Sequence, residues 1–188
     1  MEKEKSATEI KYKTIEESQV TISELMLPSH SNFNGKIHGG YVLSLLDQIA
    51  FACASKHSGV YCVTASVDTV DFLKPIEIGE LVTMKASVNF VGTSSMLIGI
   101  RVEAENIQTG ECKHCNSSYF TMVAKDQNGD SVPVPGLILK SKDDIRRFAK
   151  SIKRYDNKKK RKQEFNEIDF VSEEHLHIVE SYKVKIEQ

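Results

Sequence analysis

One segment of this sequence, from about Gly40 to Lys56, has the apolar spacing of a helix, while most segments around it have the spacing of strands. Its apolar residues recur three and four positions apart, so they share one face of a helix. Ser44, Gln48 and Ser55 lie on the opposite side. The residues of the apolar face are Val42, Leu45, Leu46, Ile49 and Cys53.

Strand patterns lie on both sides of this helix. Residues from Val82 to Phe90 and from Met96 to Ala104 alternate between apolar and polar with a period of two, which is typical of half-buried strands. Further strands are predicted for Gln19 to Met26, Tyr61 to Phe72 and about Cys112 to Ala124. A helix with one apolar face must cover a sheet, and the strands are joined by short turns. The sequence therefore predicts an α+β domain in which an antiparallel sheet wraps around one long helix.

Composition divides the chain into three parts. We expect residues 1–16 to be a mobile segment of mixed charge, residues 17–139 to be the folded domain, and residues 140–188 to be a basic C-terminal extension. Lys and Arg crowd residues 141–165, where Ile145, Phe148 and Ile152 are at helical spacing, so a basic amphipathic helix is predicted there. The end of the chain, from Glu167 to Gln188, is expected to be loosely held.

The overall charge does not indicate a nucleic-acid partner, because the 188-residue chain has a formal net charge of −1. A local run, Lys158-Lys159-Lys160-Arg161-Lys162, could bind nucleic acid or face the phosphates of a coenzyme, although charge runs are usually solvated faces. The N-terminal residues MEKEKSATEIKYK lack the apolar run of a secretory signal. No segment approaches the roughly 20 apolar residues of a membrane span. We therefore expect a soluble, cytoplasmic protein.

The four cysteines are expected to be free thiols. Cys112 and Cys115 have the spacing of a metal or redox pair, but a zinc site needs four ligands and no second pair matches them. On a strand their side chains would also point to opposite faces. We therefore expect no metal and no redox cofactor.

Asp47 is the most informative candidate for chemistry, because it lies in the middle of the predicted helix at the edge of its apolar face. Leu43, Ala50 and Ala54 are close to it at one-turn spacings. A carboxylate in such surroundings loses hydration, which is costly without partners, and perturbed carboxylates cluster at functional sites. The alternative is an aspartate at an exposed helix edge.

Two glycines, Gly39 and Gly40, begin the predicted helix, where they indicate a close approach to the backbone. A helix N-terminus offers unpaired N–H groups and partial positive charge, which suit a carbonyl oxygen as it becomes an oxyanion. The alternative is a plain tight turn. Asn32 and Asn34 in the preceding loop could orient a water or bond a carbonyl, or they could be ordinary turn residues.

The turn Gly92-Thr93-Ser94-Ser95 joins two strong strands. Its small hydroxyl residues and backbone N–H groups suit phosphate contacts, and the alternative is an ordinary hairpin turn. No Ser/His/Asp arrangement, no Gly-x-Ser-x-Gly and no phosphate-cradling glycine motif is present in the sequence. His30, His38 and His57 are scattered, and their spacing assigns no base among them.

Five motifs follow one another in a specific order. They are Asn32-x-x-Gly35-x-x-His38-Gly39-Gly40; Leu45-Leu46-Asp47; Val63-Thr64-Ala65-Ser66-Val67-Asp68; Phe72-Leu73-Lys74-Pro75-Ile76 with Gly79-Glu80; and Gly92-Thr93-Ser94-Ser95-Met96. Together they resemble the acyl-CoA thioesterases of the hotdog superfamily, in particular the bacterial YciA type and the brain or cytosolic acyl-CoA hydrolases. The resemblance covers about residues 19–139.

The resemblance implies a hotdog fold that pairs edge to edge with a second copy, in dimers that commonly assemble into hexamers. It implies that Asp47 is catalytic and that Asn32 is contributed across the interface by the other subunit. It also implies that the backbone at Gly39 and Gly40 faces the thioester carbonyl.

Coenzyme A enters such a site as part of the acyl-CoA substrate, so no separate cofactor is implied. The resemblance implies that the turn formed by Thr93, Ser94 and Ser95 lies near the CoA arm. We expect His38 and Thr64 to contact the coenzyme as well.

Two features depart from the family pattern. The position of His38 is more often aromatic in the YciA type, and the animal relatives carry two hotdog domains in one chain, whereas this chain has room for one. Identical subunits must therefore supply both Asn32 and Asp47.

The expected activity is hydrolysis of fatty acyl-CoA. Asp47 acts either as a general base or as a nucleophile that forms a mixed anhydride. The alternatives are a hotdog dehydratase, an acyl-carrier-protein thioesterase, or a non-catalytic regulator that binds acyl-CoA.

Overall fold

The computed structural model describes residues 11–170, 172, 175, 178–179 and 181–185. The chain divides into two compact units, Met1–Ser151 and Ile152–Gln188. The helices and strands in chain order are β1 (Tyr12–Thr14), α1 (Ile15–Ser18), β2 (Val20–Leu25), α2 (Gly39–Ser58), β3 (Tyr61–Val67), β4 (Glu80–Val91), β5 (Ser95–Asn106), β6 (Cys112–Lys125), β7 (Gly136–Ile138) and α3 (Lys142–Glu167).

Five strands form an antiparallel sheet in the order β2-β4-β5-β6-β3. The apolar residues of the alternating pattern in β4 and β5 are buried in the core with α2, except Phe90, which is half-buried. Some residues between them, such as Ser87 and Leu97, are buried as well. The predicted antiparallel sheet around one helix is therefore confirmed. Its buried residues include Val82, Met84, Val88, Ile98, Val102, Phe120 and Met122.

Helix α2 buries the face that its sequence predicts. Each fully buried Leu, Ile or Val side chain contributes roughly 1.5–3 kcal/mol relative to an exposed one, so this face is the main attachment of the helix to the sheet. The helix ends at Gly59, whose φ of 78° is left-handed and whose N–H donates to Ser55 O at 2.8 Å. The buried side chains of the predicted face are Val42, Leu45, Leu46, Ile49 and Cys53.

The N-terminal segment is attached to the domain by β1, which pairs in parallel with β7. The Lys13 ammonium donates to the carbonyls of Lys56 and His57 at the C-terminal end of α2, and Ile15 is 1% exposed. Of the segment predicted to be mobile, residues 1–10 lie outside the described residues, whereas residues 12–16 form β1 and begin α1.

Helix α3 occupies the region for which a basic amphipathic helix is predicted. It begins beside Asp144, whose Oδ2 accepts the Lys140 and Ser141 N–H groups. Several residues of the expected loosely held end lie outside the described residues. Within the described part of the chain, none of the helices has the length and apolar character needed to span a membrane.

Candidate active site

Asp47 lies on α2 among buried neighbours, but its own side chain is exposed. The Thr64 hydroxyl on β3 donates a hydrogen bond of 2.6 Å to Asp47 Oδ1. The predicted loss of hydration at Asp47 is therefore wrong for a single copy of the chain, because the described residues leave the carboxylate open to solvent. A single copy of the chain therefore provides a carboxylate that Thr64 orients and that lies at an exposed edge of α2.

Thr64 faces the helix by the ordinary alternation of a strand, because it is two residues after Cys62, which is buried in the core with α2. It pairs with Met122 on β6, and the register shifts between Thr64 and Ser66. This irregularity follows Thr64 and interrupts the alternation of side chains only beyond it. The Thr64 hydroxyl also lies 3.4 Å from Met122 Sδ.

The first turn of α2 is capped by His38. Its Nδ1 accepts the Gly40 N–H at 3.0 Å, and its carbonyl accepts the N–H groups of Tyr41 and Val42 at 3.0 and 3.2 Å. The ring is therefore the tautomer with its proton on Nε2. The Gly39 N–H has no hydrogen-bond partner among the described residues, so it is the open donor at this helix end.

A side chain at Gly40 would be crowded, as the predicted close approach requires, whereas one at Gly39 would make an ordinary contact. A Cβ at Gly40 would lie 3.0 Å from the His38 ring, and a Cβ at Gly39 would lie 3.4 Å from the Phe72 ring. The Phe72 ring thus packs directly on the start of α2.

Asn32 organises the loop that precedes α2. Its Oδ1 accepts the N–H groups of Asn34 at 2.9 Å and Lys36 at 3.2 Å, which is the turn role considered for it. Gly35 has a φ of 73° in this loop, a conformation that favours glycine. Asn32 is exposed, and the neighbouring Phe33 is fully exposed.

The turn after β4 is an ordinary tight turn whose backbone also forms hydrogen bonds with β6 and with the segment after it. The Gly92 N–H donates to Ser95 O at 2.7 Å, and the carbonyls of Thr93 and Ser94 accept the N–H groups of Val134 and Ala124. The Thr93 side chain is exposed, while Ser94 and Ser95 are half-buried.

The structure brings four of the predicted site residues into contact in two pairs, Asp47 with Thr64 and His38 with Gly40. Asn32 instead bonds to N–H groups of its own loop. The turn formed by Thr93, Ser94 and Ser95 bonds to the N–H groups of Val134 and Ala124. The contact of Phe72 with Gly39 is not predicted from the sequence, although Phe72 belongs to a motif of the resemblance.

A second feature at the start of α2 is also not predicted. The Tyr41 hydroxyl donates to the Glu24 carboxylate, which raises the pKa of Tyr41, and the His30 ring stacks on Tyr41 with ring centres 4.0 Å apart. These contacts join Glu24 on β2, His30 in the segment between β2 and α2, and Tyr41 on α2, so no local pattern reveals them.

All four cysteines are free, as predicted. Cys112 is exposed and Cys115 is buried, in agreement with opposite faces of a strand. Burial raises the pKa of the Cys53 thiol to about 12 and also raises that of Cys115, so both are protonated near neutral pH. The described residues contain no group of three or more His, Cys, Asp or Glu side chains that could hold a metal ion.

An antiparallel sheet wrapped around one helix, with a single carboxylate carried on that helix, is the arrangement of a hotdog domain. Comparison with known proteins agrees with this class. A family model described as "Thioesterase superfamily" matches residues 34–111.

Three relatives cover most of this chain. The protein VdlD of Helicobacter pylori is 43% identical over 141 residues, which are 75% of this chain and 80% of VdlD. The uncharacterised acyl-CoA thioester hydrolase YkhA of Bacillus subtilis is 37% identical over 146 residues, 78% of this chain and 85% of YkhA. The human cytosolic acyl coenzyme A thioester hydrolase is 33% identical over 152 residues, 80% of this chain but 40% of the human protein.

Two solved structures have the same fold. A hexameric acyl-CoA thioesterase in its apo form superposes with a TM-score of 0.79 and 36% identity, over 81% of this chain and 97% of that one. The acyl-CoA hydrolase of Staphylococcus aureus, solved with butyryl coenzyme A and coenzyme A, superposes with a TM-score of 0.76 and 31% identity, over 82% and 94%. The hotdog fold is thereby confirmed, and this chain belongs to the thioesterase superfamily.

Proposed function

We propose that this protein hydrolyses acyl-CoA thioesters to a free carboxylic acid and coenzyme A, with Asp47 as the reacting carboxylate. The observation that carries the proposal is the 2.6 Å hydrogen bond from Thr64 to Asp47, which orients the carboxylate on α2. The relatives and structural neighbours named as acyl-CoA thioester hydrolases support the choice of substrate class.

Variants of the Staphylococcus aureus enzyme support the choice of residues. An asparagine, an aspartate and a threonine of that enzyme have each been replaced by alanine in solved structures. The spacing between those three positions equals the spacing of Asn32, Asp47 and Thr64 in this chain. We therefore assign Asn32, Asp47 and Thr64 to one site.

Two mechanisms use this carboxylate. As a general base, Asp47 takes a proton from a water whose oxygen bonds to the carbonyl carbon; the C–S bond then breaks, and the departing CoA thiolate takes up the proton. As a nucleophile, a carboxylate oxygen of Asp47 displaces the CoA thiolate and forms a mixed anhydride, which water hydrolyses. Neither route uses a metal or a redox cofactor, and coenzyme A enters as part of the substrate.

In both mechanisms the carbonyl oxygen gains negative charge at the start of α2. The Gly39 N–H of a second copy of the chain is the donor open to it, because Gly39 and Asp47 of one copy lie about 12 Å apart along α2. The positive end of that copy's helix dipole adds to the stabilisation. The Gly40 N–H serves the same oxygen only when the His38 ring releases it, because His38 Nδ1 accepts that hydrogen in the unliganded chain.

The site requires a second copy of the chain. Asp47 is exposed in one copy, and Asn32 lies on an exposed loop beside the fully exposed Phe33. We assign Asn32 to the site of the partner subunit, where its amide nitrogen donates to the thioester carbonyl or to the water. A homo-oligomer follows, and the hexameric neighbours make a trimer of dimers our choice of assembly.

We assign the CoA arm to the turn formed by Thr93, Ser94 and Ser95, with His38 beside it. Residues 17–139 form the catalytic domain in this proposal, and residues 140–188 form an extension. We propose the cytoplasm as the compartment, because 80% of this chain matches a relative that is named as cytosolic.

The test is thiol release from a series of acyl-CoAs, from acetyl to palmitoyl. Asp47→Asn and Asp47→Ala should lower turnover by a factor of about 100 or more while the oligomer stays intact, because acid–base and electrostatic effects of this kind contribute about 100- to 10,000-fold. Asp130→Asn, at an exposed carboxylate of the β6–β7 loop, is the matched control. Wild-type protein that is folded, oligomeric and inert toward every acyl-CoA overturns the proposal.

A further inference from the structure

The segment between β3 and β4 is tied to β6 on both sides of Phe72. The Asp68 N–H donates to Tyr119 O at 2.9 Å, and the Leu73 N–H donates to Cys115 O at 2.9 Å. Between these two bonds, the Asn116 side-chain amide donates to Asp71 O at 2.8 Å. Three hydrogen bonds therefore fix the course of the backbone that carries Phe72.

The Phe72 ring has two different environments. One part packs on the start of α2, with ring carbons 3.4 and 3.5 Å from an ideal Cβ at Gly39. The side chain is nevertheless 52% exposed, so an apolar face of the ring remains open beside the unpartnered Gly39 N–H. An apolar surface thus adjoins the donor that we assign to the thioester oxygen.

Asn116 is a polar side chain in a fully buried position, with 0% exposure. Its Oδ1 has no hydrogen-bond partner within the described residues, which makes the amide costly to bury. A leucine of similar volume would avoid that cost. The contact that requires an amide is the bond from Asn116 Nδ2 to Asp71 O, one residue before Phe72.

We propose that Phe72 contacts the first carbons of the acyl chain and excludes water from the Gly39 N–H, and that Asn116 is a positioning residue that acts through Asp71. This inference rests on the proposed function, because it assigns the acyl side of the same thioester site. Phe72 then favours acyl groups with an alkyl chain over acetyl, since acetyl is too short to cover the ring.

The absence of tryptophan from the sequence allows a direct binding test. Phe72→Trp introduces the only tryptophan at the proposed contact, and it can be excited selectively beside the six tyrosines. Titration with S-octyl-CoA, a thioether that cannot be hydrolysed, should shift its emission to shorter wavelength, and coenzyme A alone should give a smaller shift. No shift at saturation, with binding verified by calorimetry, overturns the contact.

The same probe tests the competing occupant and the role of Asn116. The emission wavelength could instead change with protein concentration and not with the thioether. That result would assign the open face of the ring to a second copy of the chain and would overturn the proposal. In the Phe72→Trp background, Asn116→Leu should move the unliganded emission to longer wavelength, because the released segment exposes the ring. Unchanged emission would overturn the positioning role.

Kinetics provide the second test. Phe72→Ala should lower kcat/KM for octanoyl-CoA by about tenfold, the loss expected for one aromatic contact, and lower it less for acetyl-CoA. Leu73→Ala is the matched control, because Leu73 is next in sequence and comparably exposed at 60%. Asn116→Leu should act in the same direction, and combining it with Phe72→Ala should add little further loss, since the two residues act through one contact.

The two proposals fail in different ways. An active wild-type enzyme with the same chain-length preference in Phe72→Ala overturns this inference and leaves the thioesterase proposal standing. A wild-type protein that is inert toward all acyl-CoAs, but in which Phe72→Trp still responds to S-octyl-CoA, overturns the hydrolysis proposal and retains Phe72 as a contact for the acyl chain.

Discussion

The Thr64 hydroxyl and the Asp47 carboxylate are joined by a hydrogen bond of 2.6 Å that links β3 to α2. A hydroxyl that donates to a carboxylate oxygen leaves the other oxygen available to a water or a carbonyl carbon. It also restricts rotation of the carboxylate, which keeps the reacting oxygen in one direction.

Thr64→Val should therefore lower kcat by about 10- to 100-fold, because a hydrogen bond to a charged group contributes about 1.5–3 kcal/mol. The shape of the side chain is retained, so the loss reports on the hydroxyl. Thr64→Ser restores a hydroxyl and should recover most of the activity. Equal activities of the Val and Ser variants in steady-state assays would contradict the role of this bond.

Subunit mixing tests whether Asn32 and Asp47 act across an interface. Asn32→Ala and Asp47→Ala should each be inactive alone. After dissociation and reassembly in equal amounts, half of the dimers are mixed, and one of their two sites has both native residues, so about a quarter of wild-type activity should return. If both residues acted within one chain, reassembly would restore nothing.

His57 is expected to make stability dependent on pH. It is fully buried, with Nε2 donating to Pro135 O at 3.0 Å and Nδ1 beside the Ser18 hydroxyl. Burial lowers its pKa in the folded chain, so the unfolded chain, in which the pKa is about 6.5, binds the proton more readily. The free energy of unfolding should therefore fall as pH decreases below about 6.5.

Chemical denaturation between pH 8 and pH 5 would measure this dependence. His57→Gln removes the titrating group, so its stability should decrease less steeply below pH 6.5 than that of the wild type. Parallel stability curves for the two proteins would exclude His57 as the source.

Ile15 should contribute to the stability of the domain although it lies close to the N-terminus. Its side chain is 1% exposed, so Ile15→Ala should lower the free energy of unfolding by about 2–5 kcal/mol. Ile107→Ala, at a side chain that is 57% exposed, should change it by less than about 0.5 kcal/mol. Urea denaturation of both variants measures the difference.

The fold of the central domain was predictable because its elements are long enough to show a period. Helix α2 and the strands β4 to β6 bury the residues that their spacing marks as apolar. The three-residue strand β1 and the four-residue helix α1 are too short for a period, and the pairing of β1 with β7 joins distant parts of the chain. The burial of Ile15 therefore has no local signature.

The candidate site was predictable in part for the same reason. The place of Asp47 on the helix follows from its spacing, and its partner Thr64 came from the family resemblance. The hydrogen bond from Thr64 to Asp47 depends on how α2 packs on β3, and the contact of Phe72 with Gly39 depends on hydrogen bonds to β6. Asp47 is exposed, contrary to the prediction. A pattern of apolar residues shows which face of a helix is covered, but not whether the same chain or a second copy covers it.

The pairing of β1 with β7 has a consequence for synthesis. A chain leaving the ribosome produces Tyr12–Thr14 first, but the strand that pairs with it, Gly136–Ile138, follows only after the whole sheet has been made. During synthesis β1 therefore remains unpaired until β7 has emerged, and the central hairpins, whose strands are closer in sequence, can form before it. Binding of the nascent segment by a chaperone would delay this pairing without hindering the hairpins.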